Sequence, residues 1–358
     1  MLEVTSVGLD VHARSVVACA LIGATGELRR QRMCPGPEVV AAWVCELPGP
    51  VQVTYEAGPT GFGLARHLLG EGIDCVIAAP SRLQRPSGDR VKTDARDAEH
   101  LARLLHLGEV VPVTIPTESQ EAARELVRAR EDVRGELMSA RHRLSKLLLR
   151  QGIVYSGGTT WNAVHDRWLR AQRFANPTLQ QTYDSTYEVM QMLLAHRDRL
   201  DTAIEVMAAD SEFTPTVRRL SCLRGINILT GFGLATEIGD WQRLTGRSIG
   251  AYIGLVPIEQ SSGGSRWQGG VTKTGNGHVR RLLVEAAWHH RPRYAPGKVL
   301  RARWDLASSA ARVRADEGNR RLHHRWKTFD ARHKRPVIAN AAIARELAGW
   351  CWSLATIE

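Results

Sequence analysis

Residues 4–23, VTSVGLDVHARSVVACALIG, decide how the first third of the chain folds. An apolar run ends in Gly-Leu-Asp, and a second runs from Val16 to Ile22 before the turn-like GATGE of residues 23–27. That pattern predicts a hairpin with Asp10 at the edge of its first strand. Outward from it, PEVVAAWVCEL (37–47) has helical spacing, and VQVTYEAGPTG (51–61) reads as a strand ending at Glu56 with a glycine-rich exit. GFGLARHLL (61–69) reads as a helix and CVIAAP (75–80) as a strand. KTDARDAEHLARLLHLG (92–108) begins with a cap at Thr93 and continues as a helix, so Asp94 and Asp97 share one face. The predicted order is β-β-α-β-α-β-α, an α/β unit with acids at two strand ends and on a late helix.

Four carboxylates, Asp10, Glu56, Asp94 and Asp97, are thereby placed where they can gather around metal ions. Carboxylate oxygens are the donors that hard Mg²⁺ or Mn²⁺ accept, and in a two-metal site the ions hold the attacking and leaving oxygens of a phosphodiester in line. Any one of these acids is as readily a solvated surface residue, and Asp94 alone is equally explained as a first-turn acid favoured by the helix dipole. Their combination in this order carries the metal reading.

The chain has 358 residues and a net charge of +11, enough length for two or more domains. Between Ser261 and Arg335 there are 18 Lys+Arg against 5 Asp+Glu, a local balance of +13 that leaves about −2 for the remainder. The basic character belongs to one C-terminal block, which suits phosphate neutralisation and a salt-sensitive nucleic-acid partner. It has no clean amphipathic stripe of the kind a membrane surface requires. Cys19, Cys34, Cys45, Cys75, Cys222 and Cys351 form no CxxC pair and read as small core residues in a reducing compartment. With no signal peptide and no apolar run of transmembrane length, the expectation is a cytoplasmic protein.

From Glu118 to Gln151, Ala122, Leu126, Ala129, Val133, Leu137, Ala140, Leu144 and Leu147 recur in steps of four and three, a heptad-like helix. A second helical stretch, roughly Leu179 to Ala209, can pair with it as an antiparallel hairpin within the chain or with another protomer. YSGGTTWNAVHDRWLRAQRFANP (155–177), between them, reads as a loop with a short helix.

LSCLRGINILTGFGLATEIGDWQRL (220–244) has the plan of a helix-hairpin-helix element around Gly225, although Asn227 stands where such a turn often has a second glycine. A plain helical hairpin of a core is the alternative. The stretch from Ser261 to Gly277 then reads as a Ser/Gly-rich, phosphate-handling loop, with Arg266, Lys273, Arg280 and Arg281 as candidate nucleic-acid contacts. A serine hydroxyl there could attack phosphorus, but on spacing alone a serine in such a loop is usually a turn residue.

GLDVH (8–12), YEAGPTG (55–61), KTDARDAEHLARLL (92–105) and GLVPIEQSSGGSRWQGGVTKTGNGHVRRLL (254–283), in that order over nearly the whole chain, resemble the DEDD transposases of bacterial insertion sequences. The resemblance is to insertion-sequence family one-ten, related to the Piv-type invertases, and in the long middle region to its eleven-eleven subgroup. It implies three domains: a RuvC-like, ribonuclease-H-fold DEDD domain (1–112), a helical coiled-coil linker region (113–212) and a mainly helical C-terminal transposase domain with a catalytic serine (213–358). It implies that Asp10, Glu56, Asp94 and Asp97 bind Mg²⁺ or Mn²⁺. The family pattern, serine directly before glycine, selects Ser262, while counting back from Lys273 selects Ser261; Ser262 is the expectation.

The resemblance further implies an RNA-guided recombinase that exchanges strands of donor and target DNA through a transient phosphoserine link, guided by the element's own structured non-coding RNA. Because one site then needs acids from the N-terminal domain and a serine from the C-terminal one, the two must meet within a chain or between protomers; a composite site in a homo-oligomer, with the heptad-like helix as the joint, is expected. Two rivals stand beside it: a metal-dependent Holliday-junction-type nuclease using only the four acids, and a non-enzymatic nucleic-acid-binding protein.

Overall fold

The computed structural model describes residues 4–80, 83 and 93–357, which divide into two compact units, Met1–Thr117 and Glu118–Glu358. The first contains β1 (Thr5–Val11), β2 (Val16–Leu21), β3 (Leu28–Met33), α1 (Pro37–Cys45), β4 (Val51–Glu56), α2 (Gly63–Gly70), β5 (Asp74–Ala78) and α3 (Asp94–His106). The five strands form one mixed sheet in the order β3-β2-β1-β4-β5. β1 is antiparallel to β2 and parallel to β4, and β4 is parallel to β5. This mixed α/β arrangement is consistent with a ribonuclease-H-like domain.

β3 corrects the predicted order, which passed from the hairpin directly to a helix. Leu28–Met33 reads LRRQRM, with four of its residues exposed, so it carries none of the apolar alternation that marks a strand. It is held by backbone pairing to β2 alone, and its arginines protect the free edge of the sheet.

The period of two along β1 and β4 gives the sheet two unlike faces. Val7, Leu9, Val53 and Tyr55 are fully buried on one, packed with Val40 and Val44 of α1 and Leu68 of α2. Gly8 points the other way, where α3 lies. A Cβ at Gly8 would stand 2.1 Å from the Ala98 carbonyl oxygen and 2.5 Å from the Ala102 amide nitrogen. Only glycine lets the α3 backbone lie directly on β1. α3 presents Ala98, Leu101, Ala102 and Leu105, all buried, at helical spacing toward the sheet. Its start is fixed by Thr93, whose hydroxyl accepts from the Arg96 amide.

The second unit begins with α4 (Glu118–Arg150), α5 (Ala163–Arg170) and α6 (Pro177–Ala209). α4 and α6, each 33 residues, span about 50 Å at 1.5 Å per residue. They pair antiparallel within the chain: Ala123 and Val127 share a cluster with Ile204 and Ala208, and Leu144 and Leu147 share another with Tyr183 and Met190. The expected seam is right from Val133 to Leu147, but Ala122 and Ala129 are exposed while Ala123 and Val127 are buried. The first half of α4 also packs against Phe213, Val217 and Phe232, and that second partner turns a different face inward.

Next come α7 (Thr214–Leu220), α8 (Ile228–Ile238), α9 (Ile249–Tyr252), β6 (Pro257–Ser262), β7 (Ser265–Val271), α10 (Gly277–Trp288), α11 (Lys298–Trp304), α12 (Ser309–Ala331) and α13 (Pro336–Ala355). α8 is buried at every residue from Gly231 to Ile238 and forms the centre of this part. Gly225 lies in the turn before it at φ +84°, with the Ala286 carbonyl oxygen 2.5 Å from where a Cβ would sit. Asn227, read as a departure from the motif, caps α8 by accepting from the Thr230 amide at 2.8 Å.

The Ser261–Gly277 stretch is corrected from a loop to mostly hairpin. Ser262 pairs with Ser265 across Gly263-Gly264, with Gly263 at φ +56°. A Gly-Gly connection between two polar runs is a hairpin signal that the loop-like composition masked.

Gly8→Ala is expected to cost about 1–3 kcal/mol by forcing α3 off the sheet, read as a lowered unfolding midpoint in urea. A variant as stable as the parent would show that the α3 contact tolerates a methyl group.

Candidate active site

Asp10 lies one residue past Leu9, which pairs with Tyr55, so at the end of the β1–β4 ladder Asp10 and Glu56 stand side by side. Both follow the Gly8 side of the alternation and project toward the face that α3 covers. Asp94 and Asp97 sit in the first turn of α3. The close approach at Gly8 therefore brings the start of α3, with Asp94 and Asp97 in its first turn, to the end of β1, and Glu56 ends the neighbouring strand. There the structure gathers a smaller set. Donor atoms of Asp10, His12 and Asp94 lie within 4.8 Å of one another. His12 Nε2 is 3.1 Å from Asp10 Oδ2 and 3.8 Å from Asp94 Oδ1, and Arg32 lies 3.7 Å from Asp94. Glu56 is exposed at the strand end and Asp97 half-buried, both outside that trio.

His12 was not singled out from the sequence, although it lies two residues past Asp10 in the same motif, a spacing that in a strand returns to the same face. Its imidazole now bridges two carboxylates that would otherwise repel. The donor set fits a divalent cation. Octahedral Mg²⁺ or Mn²⁺ takes oxygen ligands at about 2.1 Å, hence neighbouring donors about 3 Å apart, close to the His12–Asp10 spacing. The edge is also open, with the Asp94 side chain 45% exposed, so a substrate oxygen can approach the same position.

The predicted serines lie on the β6–β7 hairpin of the second unit. Ser261 donates to Glu259 Oε1 at 3.0 Å, and Glu259 also accepts from Arg266 at 2.9 Å and Gln268 at 3.0 Å. Those hydrogen bonds, Arg266 first, hold the Glu259 carboxyl down to about 2, which makes it a fixed acceptor and a poor base. Ser262 is one residue on, exposed, beside the turn. Arg266, predicted as a phosphate contact, is thus engaged with Glu259.

The hairpin exit is fastened at several points. Lys273 sits at φ +57°, and its amide donates to the Gly254 carbonyl at 3.1 Å. Arg280 Nη1 donates to the carbonyls of Ile253 and Thr274 at 2.9 and 2.8 Å, so it ties the exit to the end of α9. Arg281 reaches Glu131 of α4 at 2.5 Å and Glu285 at 2.8 Å. Of the four predicted cations, Lys273 is the exposed one without an acidic partner among the described residues.

Beneath this exit is a residue that sequence reading passed over. Glu237 is 3% exposed and accepts from Nε and Nη2 of Arg128 at 3.0 and 3.1 Å and from Asn276 Nδ2 at 2.8 Å, and lies 3.4 Å from His278 Nδ1. Burial opposes its charge, but the bonds from His278, Arg128 and Asn276 outweigh it and hold the carboxyl down to about 2. Asn276 at the same time caps α10 by accepting from the Val279 amide. One buried carboxylate therefore joins α8, α4 and the start of α10. Its sequence signal was a lone acid in the apolar run ILTGFGLATEIG, where an unpaired charge would be costly.

Comparison with known proteins covers both units. A family profile described as "Transposase IS116/IS110/IS902 family" matches residues 217–304. A second, a DEDD transposase profile of IS110 described as "Transposase", matches residues 7–152. The chain is 36% identical over 357 residues to the putative transposase y4qE of Sinorhizobium fredii, covering 98% of this chain and 88% of that protein. It is 29% identical over 343 residues to the transposase for insertion sequence element IS1533 of Leptospira borgpetersenii, covering 92% and 97%. With the transposase for IS1111A of Coxiella burnetii it shares 23% over 225 residues, covering 62% and 61%.

Glu237→Gln is expected to destabilise the protein by about 1–3 kcal/mol near neutral pH, because Arg128 loses its buried partner. The folded-state value is depressed from 4.5 to about 2, so the charge contributes stability above pH 4.5 and loses it as pH falls toward 2. Urea unfolding midpoints of parent and variant should converge over that window; a gap independent of pH would contradict the assignment.

Proposed function

Because the chain belongs to the IS110/IS1111 family of DEDD transposases and is an enzyme that transposes DNA, we propose that it exchanges DNA strands by a phosphoserine route that uses both the acid edge and the hairpin serine. The observation that carries this reading is the gathering of Asp10, His12 and Asp94 at the end of β1, where α3 rests on Gly8, with Glu56 ending the neighbouring strand and Asp97 in the first turn of α3. Asp10 and Asp94, with His12, would hold a divalent cation, Mg²⁺ or Mn²⁺, and Glu56 and Asp97 would complete the set. Bound there, the metal supplies charge neutralisation at the phosphate and alignment of the reacting oxygens.

Ser262 is the proposed nucleophile, and its exposed position beside the hairpin turn supports it. Its Oγ forms a bond to phosphorus as the bond from phosphorus to a sugar oxygen breaks; the serine proton is lost and the sugar hydroxyl gains one. Attack by the hydroxyl of a second strand reverses the exchange, frees the serine and joins the new pair. The bond energy is kept throughout, so no external energy source is required. Ser261, already donating to Glu259, holds the hairpin in shape. The acids and the serine are supplied from one chain or from two protomers, and a homo-oligomer with Ser262 of one protomer serving the acids of another is the form we favour. The element's own structured RNA is proposed as the guide that selects donor and target DNA, on family membership. A RuvC-like domain (1–112), a helical linker (113–212) and a C-terminal transposase domain (213–358) are proposed as the functional partition, whereas the compact units divide at Thr117 and Glu118.

The test is incubation of the protein with Mg²⁺, the RNA flanking its gene and end-labelled DNA, quenched in denaturant and resolved for a protein-linked band. The band should appear with the parent and Ser261→Ala, and fall by at least ~10³-fold in Ser262→Ala and Asp10→Asn. Cleaved DNA with no adduct in any variant would replace this mechanism with the junction nuclease, and DNA left unchanged by the parent would leave a binding protein.

A further inference from the structure

Away from the serines, the base of the hairpin borders a trough of about 1200 Å³ bounded by Pro257 and Gln268–Val271 of the hairpin, by α9, and by α12 and α13. Six cationic side chains line it, Arg247, Arg314, Arg321, Arg325, Lys334 and Arg345, against a single carboxylate, Glu346. Glu346 is already shared by Arg321 at 3.2 Å and Arg325 at 2.8 Å, while Arg314 turns to Glu317 and stacks 4.4 Å over Trp350. Arg247 and Arg345 have no acidic partner among the described residues. Facing these charges is an apolar wall on α13, where Val337 is 62% and Ile338 48% exposed, continued by Ala341 and Ala342.

We propose that this trough receives an unpaired segment of a DNA strand, phosphates on the arginines and base faces against the α13 wall. The proposal rests on the reading of the chain as a transposase that works on DNA. A duplex turns its phosphates outward and its base faces inward, so it would leave Val337 and Ile338 against charged backbone; an unpaired strand has an apolar surface for them to cover. The surplus of positive charge demands a polyanion. The 2′-hydroxyl is what distinguishes RNA from DNA at a site, and the one lining carboxylate that could accept from it, Glu346, is already shared by Arg321 and Arg325. Because the trough is built partly from β6 and β7, a strand lying in it leads along the hairpin toward the serines. It therefore holds the single strand that must leave its duplex before it can be exchanged.

The full-length protein is titrated by fluorescence anisotropy against a labelled oligodeoxynucleotide of roughly a dozen nucleotides, its RNA counterpart and the matching DNA duplex, over a range of salt. Arg247→Ala with Arg345→Ala should weaken single-stranded DNA by ~10-fold or more and flatten the log–log salt slope by about 1.4. Val337→Asp, a change at an exposed position, should also weaken it. Duplex binding should change by less than ~3-fold, and removing Arg143 and Arg150, exposed on α4, should produce no preferential loss of the single strand. Thermal melting accompanies each variant, and Val337→Asp carries the test if the double variant is unfolded. Unchanged single-strand affinity in the folded variants, equal loss for strand and duplex, or tighter arginine-dependent binding of RNA or of polyglutamate would each overturn the proposal. Failure of the parent to bind DNA in either form would instead overturn the transposase reading on which it rests.

Discussion

Everything at the acid edge depends on one close approach, that of the α3 backbone onto Gly8. A side chain there would meet the Ala98 carbonyl at 2.1 Å, so the helix can rest on the strand only because position 8 has none. The contact fixes two things together. It buries the apolar face of α3, and it carries the start of the helix, with Asp94 and Asp97, to the end of the strand that bears Asp10. Burial and chemistry are coupled by the same geometry: the hydrophobic residues of α3 hold the acids near one another against their mutual repulsion. Arg32 lies 3.7 Å from Asp94 and His12 3.1 Å from Asp10, and a divalent ion would offset the repulsion directly.

The second unit solves a different problem, how to hold an exposed hairpin on a helical core. Its strands have almost no buried side chains, so packing cannot position them. Polar fastenings do so instead. Glu259 gathers Ser261, Arg266 and Gln268 on the hairpin itself, Arg280 ties the exit to the end of α9, and Glu237 binds the start of α10 to α4 and α8. Much of the basic character of this region is therefore structural. Arg280 and Arg281, which on charge alone read as phosphate contacts, serve carbonyl and carboxylate partners within the chain. In the trough beside the hairpin, Arg247 and Arg345 have no acidic partner among the described residues.

The legibility of the sequence followed burial. Strands β1, β2, β4 and β5 were readable because each has apolar residues packed into the sheet core, and α3 because its cap and amphipathic spacing agree. β3 was not, since an edge strand of arginines is defined by backbone pairing that leaves no trace in side-chain pattern. The β6–β7 hairpin was read as a loop for the same reason, although Gly263-Gly264 marked the turn. On α4 the seam was legible where one partner, α6, covers it, and misplaced where α8 adds a second. The positions of the four acids were read from strand ends and a helix face, whereas His12, one residue past the end of β1, and Glu237, a lone acid in an apolar helix, were not singled out. The choice of Ser262 over Ser261 rested on the family pattern and not on spacing; what the hairpin adds is that Ser261 donates to Glu259.

The account's central claim, that Gly8 and α3 together build a cation site at the end of β1, is tested most directly by anomalous diffraction from crystals of the protein grown with Mn²⁺. The account predicts an anomalous peak within about 2.0–2.2 Å of carboxylate oxygens from both Asp10 and Asp94, with α3 still seated on Gly8. A well-occupied peak elsewhere, or one at Asp10 with Asp94 turned away, would contradict it.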